Sequence, residues 1–155
     1  MLKVNRIHMD YENPLIGASG MPQIGWEMES SRRQVVQKSY QLQISENRGF
    51  EEPVYDSGVV FAEESAHVQP QGVKLQSAKK YFVRVRVEDQ TEASKWSEPA
   101  YFITALLDEE WRAPFVSVDT TEEDKQSSKG TYVRGCFEVK KPVQEAIAFT
   151  TGLGL

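Results

Sequence analysis

Hydrophobic and polar residues alternate with a period of two through most of the first hundred residues, and stripes with the 3.6-residue period of a helix are absent. The alternation is clear in segments 24–29, 36–45 and 82–88. A period of two places one face of a strand in a core and the other in solvent. In 82–88 the pattern predicts that the valines point inward and that Arg84, Arg86 and Glu88 point outward.

Turn-forming residues separate these segments at short intervals. The turn signals are Asn13-Pro14, Gly17 to Pro22, Asn47-Arg48-Gly49, Asp56-Ser57-Gly58 and Pro70-Gln71-Gly72. Short alternating strands between regular turns are typical of a β-sandwich. The sequence therefore predicts an all-β protein.

The leucine and tyrosine spacing before segment 82–88 predicts a tyrosine corner. Leu75 precedes Tyr81 by a polar linker, and in such a corner the tyrosine ring packs at the core edge while its hydroxyl bonds an upstream backbone group. Trp26 alternates with apolar neighbours, which favours a core position, and Ser94-Lys95-Trp96-Ser97 precedes the last strand. Together these features resemble a fibronectin type III domain over residues 1–104, with Trp26, Leu75 and Tyr81 as its structural residues.

A second, incomplete domain is predicted over residues 105–155. An apolar step, Ala105-Leu106-Leu107, meets an acidic cluster there, and a polar stretch at 119–130 is expected to be a loop. Segments 133–139 and 146–151 alternate again, and Gly152 to Leu155 end the chain directly after the second segment. We therefore expect the first strands of a second β-sandwich that is truncated, with Val133, Phe137 and Val139 left exposed.

The composition narrows the class of protein. A formal net charge of −5 disfavours binding to nucleic acid or to an anionic membrane surface. No apolar stretch approaches the roughly 20 residues that span a bilayer, and the acids after position 8 interrupt any secretory signal. With one cysteine, Cys136, no internal disulfide can form, and we expect a cytoplasmic location.

Candidate chemistry is sparse. His8 and His67 lack further ligands at metal-like spacing, Cys136 has no histidine near it in sequence, and the acids of the polar stretch lack the shaped pocket that acid–base catalysis needs. We expect no catalytic residue, no metal and no cofactor. Trp96 and Trp111 are the candidates for an interdomain or ligand contact, because both tryptophans are flanked by polar residues.

The order of these features resembles the amino-terminal region of bacterial α-L-rhamnosidases of glycoside hydrolase family 78. The residues that carry it are Asn13-Pro14 with Gly17, Tyr55-Asp56-Ser57-Gly58, Tyr81 to Val87, Trp96-Ser97, Leu106-Leu107, Trp111-Arg112-Ala113 and Gly152-Leu153-Gly154. Departures from the family pattern stand at Ile16, Tyr55 and Phe115.

The resemblance implies a parent enzyme that removes terminal α-L-rhamnosyl groups with inversion, by one acid and one base, on a catalytic barrel further downstream. It implies that this chain is a non-catalytic fragment whose partners are the downstream domains of the same parent. Carbohydrate substrate would then be bound only through the parent's catalytic domain.

Two alternatives remain open. The chain can be a stand-alone fibronectin-like module that binds a protein or a glycan through exposed loops. It can also be complete and dimerise through the open edge of its second sheet, which concentration-dependent mass would reveal.

Overall fold

The computed structural model describes residues 1–107, 111–116 and 133–151. The chain divides into two compact units, Met1–Glu109 and Glu110–Leu155. The predicted loop at 119–130 and the final residues 152–155 lie outside the described residues. Within the described part of the chain, no helix has the length and apolar composition needed to cross a bilayer.

The described residues of the first unit, 1–107, form seven strands. They are β1 (Leu2–Met9), β2 (Leu15–Ala18), β3 (Ile24–Ser30), β4 (Ser39–Ser45), β5 (Tyr55–Asp56), β6 (Lys80–Glu88) and β7 (Ala100–Thr104). β1 and β3 pair in one antiparallel sheet, and the other sheet has the order β2-β7-β6-β4-β5. β2 runs parallel to β7, and the other neighbours are antiparallel.

An irregular segment covers the free side of β3 in the smaller sheet. The backbone of Ile24 exchanges two hydrogen bonds with that of Val68, at 2.7 and 3.0 Å, and the backbone N–H of Trp26 donates to the Ser65 carbonyl. Between these bonds His67 has a positive φ of 57°. The chain therefore bulges outward at His67 while it follows the strand.

The core lies between the two sheets. Its most buried members are Leu2, Ile7, Met9, Ile24, Trp26, Leu42, Ile44, Tyr81, Val83, Val85, Val87 and Phe102. The three valines of β6 alternate inward as expected, because a shift of one residue would bury the charges of the strand. The predicted all-β sandwich is confirmed.

Three polar side chains that the alternation of 36–45 predicts to be solvent-exposed are buried, although Gln43 stays on the outward-facing side of β4, where Arg84 and Asp56 contact it. Gln37, Gln43 and Ser45 are buried, while Val36 is 46% exposed and precedes β4. Gln37 turns into the core beside Trp26, accepts a hydrogen bond from the indole N–H at 2.9 Å and donates to the carbonyls of Ala62 and Glu64. A buried amide with all these bonds adds no unsatisfied group.

The second unit contains no strand in its described residues, 111–116 and 133–151. The strands predicted at 133–139 and 146–151 are therefore not formed in this structure. Val133, Phe137 and Val139 are 59%, 89% and 54% exposed. An alternating segment gains its strand geometry from cross-strand partners, and without them its apolar face stays uncovered.

Candidate functional site

The segment that carries Trp96 is bonded along the edge of β6. The N–H groups of Ser94 and Ser97 donate to the carbonyls of Val87 and Val85, at 2.7 and 2.9 Å. In return, the two serine hydroxyls accept the N–H groups of the same valines, at 2.9 and 3.1 Å. Both serines therefore hold Trp96 over the outer face of the five-stranded sheet.

Two arginines of β6 cover the indole ring. The guanidinium carbon of Arg84 lies 4.4 Å from the Trp96 ring centroid and that of Arg86 lies 5.0 Å away. Arg84 also lies 4.3 Å from the ring of Phe50. These are cation–π distances, so Trp96 is half-buried and its ring is already occupied. The residue proposed from sequence as an interdomain or ligand contact is engaged within its own domain.

The arginines connect to a carboxylate through two glutamines. Arg84 donates to Gln43 Oε1 and Arg86 to Gln41 Oε1, at 2.6–2.9 Å. The amide groups of both glutamines then donate to the two oxygens of Asp56, each at 2.6 Å. We refer to Phe50, Trp96, Arg84, Arg86, Gln41, Gln43 and Asp56 as the outer-face ladder.

Electrostatics assign this ladder a structural role. Partial burial alone would raise the pKa of Asp56, but the hydrogen bonds from Gln41, Gln43 and the Gly58 N–H outweigh it and lower the pKa. Partial burial also lowers the pKa of Arg84. A carboxylate held ionised and fully bonded is a poor general acid, so the ladder offers no catalytic pair.

A groove of about 150 Å³ lies beside the ladder, with Arg86, Glu88 and Val59 among its lining residues. Ser39 at its floor donates to Glu88 Oε2 at 3.1 Å. Val59 and Phe61 lie on the adjacent edge segment and are 54% and 85% exposed. The groove has room for a small side chain, and no histidine or lysine lies among its lining residues to activate the Ser39 hydroxyl as a nucleophile.

Leu75 and Tyr81 form the connection that the sequence predicts. Tyr81 is buried, stacks on Phe102 with ring centroids 5.4 Å apart, and accepts a hydrogen bond from the Gln76 N–H at 2.9 Å through its hydroxyl. Leu75 packs against the core from a partly buried position. The bond from a tyrosine hydroxyl to an upstream backbone group is the defining contact of a tyrosine corner.

Asp89 is a perturbed carboxyl that sequence reasoning missed. It accepts hydrogen bonds from the N–H groups of Thr91 and Glu92, at 2.6 and 2.9 Å, and contacts the guanidinium of Arg32. The Thr91 N–H is the largest of these causes, and together they lower the pKa of Asp89 to about 2. A short Asp-x-Thr pattern after a strand is the only sequence signal for this turn cap.

The two histidines, far apart in sequence, meet at one end of the smaller sheet. Tyr11 lies between them: its ring is stacked with that of His8 at 6.3 Å between centroids, and its hydroxyl lies 3.4 Å from Nε2 of His67. Among the described residues, no group of three or more His, Cys, Asp or Glu side chains is placed to hold a metal ion. No sequence motif indicates this meeting, because it depends on the pairing of β1 with β3 and on segment 65–68.

One family model matches this fold over most of the chain. It describes the Rha78A-like N-terminal immunoglobulin domain and covers residues 4–108. The chain belongs to this family. The match ends one residue before the first compact unit ends, and the resemblance inferred from the sequence is confirmed.

Relatives of this family domain are α-L-rhamnosidases of much greater length. The enzyme of Alteromonas sp. (strain LOR) is 31% identical over 94% of this chain and 17% of its own length. That of Streptomyces avermitilis is 30% identical over 84% of this chain and 13% of its own. The chain thus spans less than a fifth of the length of these curated relatives.

A solved structure supports the same assignment. The crystal structure of the Streptomyces avermitilis α-L-rhamnosidase complexed with L-rhamnose matches 69% of this chain and 11% of that chain, with a TM-score of 0.66 and 30% identity. The α-L-rhamnosidase from Dictyoglumus thermophilum, at 23% identity and a TM-score of 0.63, shows the same fold.

The remaining candidate residues lie in the second unit. Trp111 is 40% exposed and Cys136 is an exposed free thiol. The exposure of Trp111 leaves its role as an interdomain or ligand contact a prediction. Neither residue has an acid–base partner among the described contacts, so the expected absence of catalytic residues also stays a prediction.

Proposed function

We propose that this chain is a non-catalytic N-terminal accessory region of an α-L-rhamnosidase. The proposal rests on how much of each protein is matched. A family model of the N-terminal domain matches residues 4–108 of this chain, and the chain matches only 17% of the length of its Alteromonas relative. The parent enzyme hydrolyses terminal α-L-rhamnosyl groups with inversion, using carboxyl groups of a downstream domain.

The accessory role is packing against later domains of the parent. The first unit supports the non-catalytic part of the proposal, because its two carboxyl groups with lowered pKa values, Asp56 and Asp89, are held in structural hydrogen bonds. A catalytic acid needs a pKa near the working pH, and both of these pKa values are lowered.

Hydrolysis of p-nitrophenyl α-L-rhamnopyranoside tests the proposal. The 155-residue chain is assayed beside the product of the full reading frame at its locus, at equal molar concentration. We expect release of nitrophenol only by the longer product. Activity of the 155-residue chain by itself would overturn the proposal, and inactivity of both would favour a binding module for a protein or a glycan.

A further inference from the structure

The tight turn after β1 contains an unusual backbone. Asp10 and Tyr11 both have positive φ, at 44° and 70°, between the reciprocal backbone hydrogen bonds of Met9 and Glu12, each 2.8 Å. Turns of this kind favour Asn-Gly or Asp-Gly, since glycine adopts positive φ freely. A bulky residue there is strained, and strained residues persist where the surroundings hold them and concentrate at functional sites.

The strained turn leaves an aromatic ring exposed to solvent. Tyr11 is 75% exposed, although its neighbours fix its position on two sides. His8 is stacked against it with an interplanar angle of 9°, and His67 meets it edge-on at 5.9 Å between centroids. His67 itself has positive φ, a conformation that histidine adopts more readily than most residues, so the strain of this contact lies mainly at Tyr11.

The supporting contacts hold this arrangement in place before any ligand arrives. Gln23 Oε1 lies 2.7 Å from Nδ1 of His67, and the Gln23 N–H donates to Asp10 Oδ1 at 2.9 Å. Nε2 of the same ring lies 3.4 Å from the Tyr11 hydroxyl, so both ring nitrogens of His67 are engaged within the site. A Cβ at Gly25 would lie 2.3 Å from Nε2 of the His8 ring, so the glycine lets this ring lie close against β3.

The groups around the ring define the class of ligand. The cleft beside the ring holds about 10 Å³, no more than one water molecule fills, so a ligand must lie on the surface. The polar groups that these contacts do not use are the His8 imidazole, the Gln23 amide N–H₂ and the second oxygen of Asp10. Such groups pair with hydroxyl groups, which both donate and accept. The carboxylates of Asp10 and Glu12 in the turn disfavour an anion such as phosphate.

We propose that His8, Asp10, Tyr11, Gln23 and His67 form a surface binding site for one neutral sugar ring. The C–H face of a pyranose packs on the exposed Tyr11 ring, and its hydroxyl groups bond the Asp10 carboxylate and the His8 imidazole, while Gln23 and His67 hold the Tyr11 ring in place. Because the contact area is small and open, affinity is in the millimolar range. This site is independent of the rhamnosidase activity proposed for the parent.

Proton NMR of the 155-residue chain tests the site. The protein has two histidines, both in the site, so their ring Hε1 signals report occupancy without labelling. The probes are methyl α-L-rhamnopyranoside, methyl β-D-glucopyranoside and methyl β-D-galactopyranoside, titrated to high millimolar concentration. We expect saturable shifts of both signals with at least one pyranoside.

Two variants separate the site from general effects. Tyr11→Asn removes the ring, and asparagine tolerates positive φ, so the shifts should be lost. Phe61→Asn removes an aromatic ring that is 85% exposed elsewhere, so the shifts should persist. The indole N–H signal of Trp26, which depends on its buried bond to Gln37, verifies folding in each variant.

Three results would overturn the proposal. They are the absence of shifts with every pyranoside, shifts that survive in folded Tyr11→Asn, and shifts with tetramethylammonium but none with the sugars. The last result would show that the Tyr11 ring and the carboxylates recognise a cation instead.

Discussion

Trp96 and Tyr11 are aromatic residues of the same domain in opposite surroundings. Trp96 lies on the broad face of a sheet, under two guanidinium groups, in backbone held by serine hydroxyls. Tyr11 lies on a strained turn at the end of a sheet, with most of its ring in solvent. The first arrangement stabilises the fold, and the second costs stability.

The difference shows how to separate structural aromatics from binding aromatics on an accessory domain. Exposure by itself is uninformative, because single apolar side chains on a surface are common. A ring such as Trp96, which two guanidinium groups already contact, has less of its surface left for a ligand, and its role as a ligand contact stays a prediction. The Tyr11 ring is 75% exposed on a strained turn, and strain of this kind concentrates at functional sites.

The largest effect is expected from Trp96→Ala. It removes two cation–π contacts, worth about 0.5–1 kcal/mol each, and the packing of a half-buried ring, so the free energy of unfolding should fall by about 2 kcal/mol. Urea unfolding followed by far-UV circular dichroism measures this, since the signal does not depend on the deleted tryptophan.

Phe61→Ala is the matched control for Trp96→Ala. Phe61 is 85% exposed on the neighbouring edge, and truncation of such a residue stays within about 0.5 kcal/mol. Equal losses for the two variants would mean that the ladder contributes nothing beyond the deleted apolar surface.

The period-two pattern predicts which side chains of this domain face the core. It predicts little about how the outward-facing side chains contact one another. Val83, Val85 and Val87 alternate inward because a period of two leaves one choice of buried face. The pattern assigns Arg84 to solvent by the same rule. The structure instead lays its guanidinium on Phe50 and Trp96, because a long side chain can cover apolar surface while its charge finds polar partners.

The Tyr11 site was not predictable for a different reason. Its two histidines are brought together by the pairing of His8 with Gly25 in β1 and β3 and by the bulge at His67. Asp10-Tyr11 lacks the glycine or asparagine that would mark such a turn. In the second unit the sequence predicts a strand that the structure lacks. Segment 133–139 has the alternating pattern of a strand but forms none, because a strand also needs pairing partners.

A smaller effect, of opposite sign, is expected from Tyr11→Gly. It converts the turn to Asp-Gly and relieves a left-handed conformation that costs an L-residue roughly 1–2 kcal/mol, while the exposed ring gives up little packing. The free energy of unfolding should rise by about 1 kcal/mol, in the same urea assay.

Gly17→Ala provides the control for this strain argument. Gly17 has a φ of 86°, and no atom lies within 4 Å of the place that a Cβ would take, so alanine there introduces strain without a clash and should lower stability. A Tyr11→Gly protein less stable than the parent would show that the contacts with His8 and His67 outweigh the strain, and the turn would then be structural like the ladder.

The smallest predicted effect is the loss of folding stability at acidic pH through Asp56. The pKa of Asp56 is lowered in the folded protein, from an ordinary value of 3.8, so the folded state binds fewer protons than the unfolded chain at intermediate pH. The stability this confers is complete above pH 3.8 and is lost as the pH falls through the lower, folded pKa. Because Asp56 is exposed, the contribution is less than about 1 kcal/mol.

Asp56→Asn should therefore destabilise the domain at pH 7 and converge on the parent protein as the pH approaches 2. Urea unfolding of both proteins at several pH values measures the gap. Asp89→Asn is a useful comparison, because the pKa of Asp89 is about 2 and its gap should also narrow toward that pH. A gap for Asp56→Asn that stays constant from pH 7 to pH 2 would mean that Asp56 acts in the ladder through its shape and not through its charge.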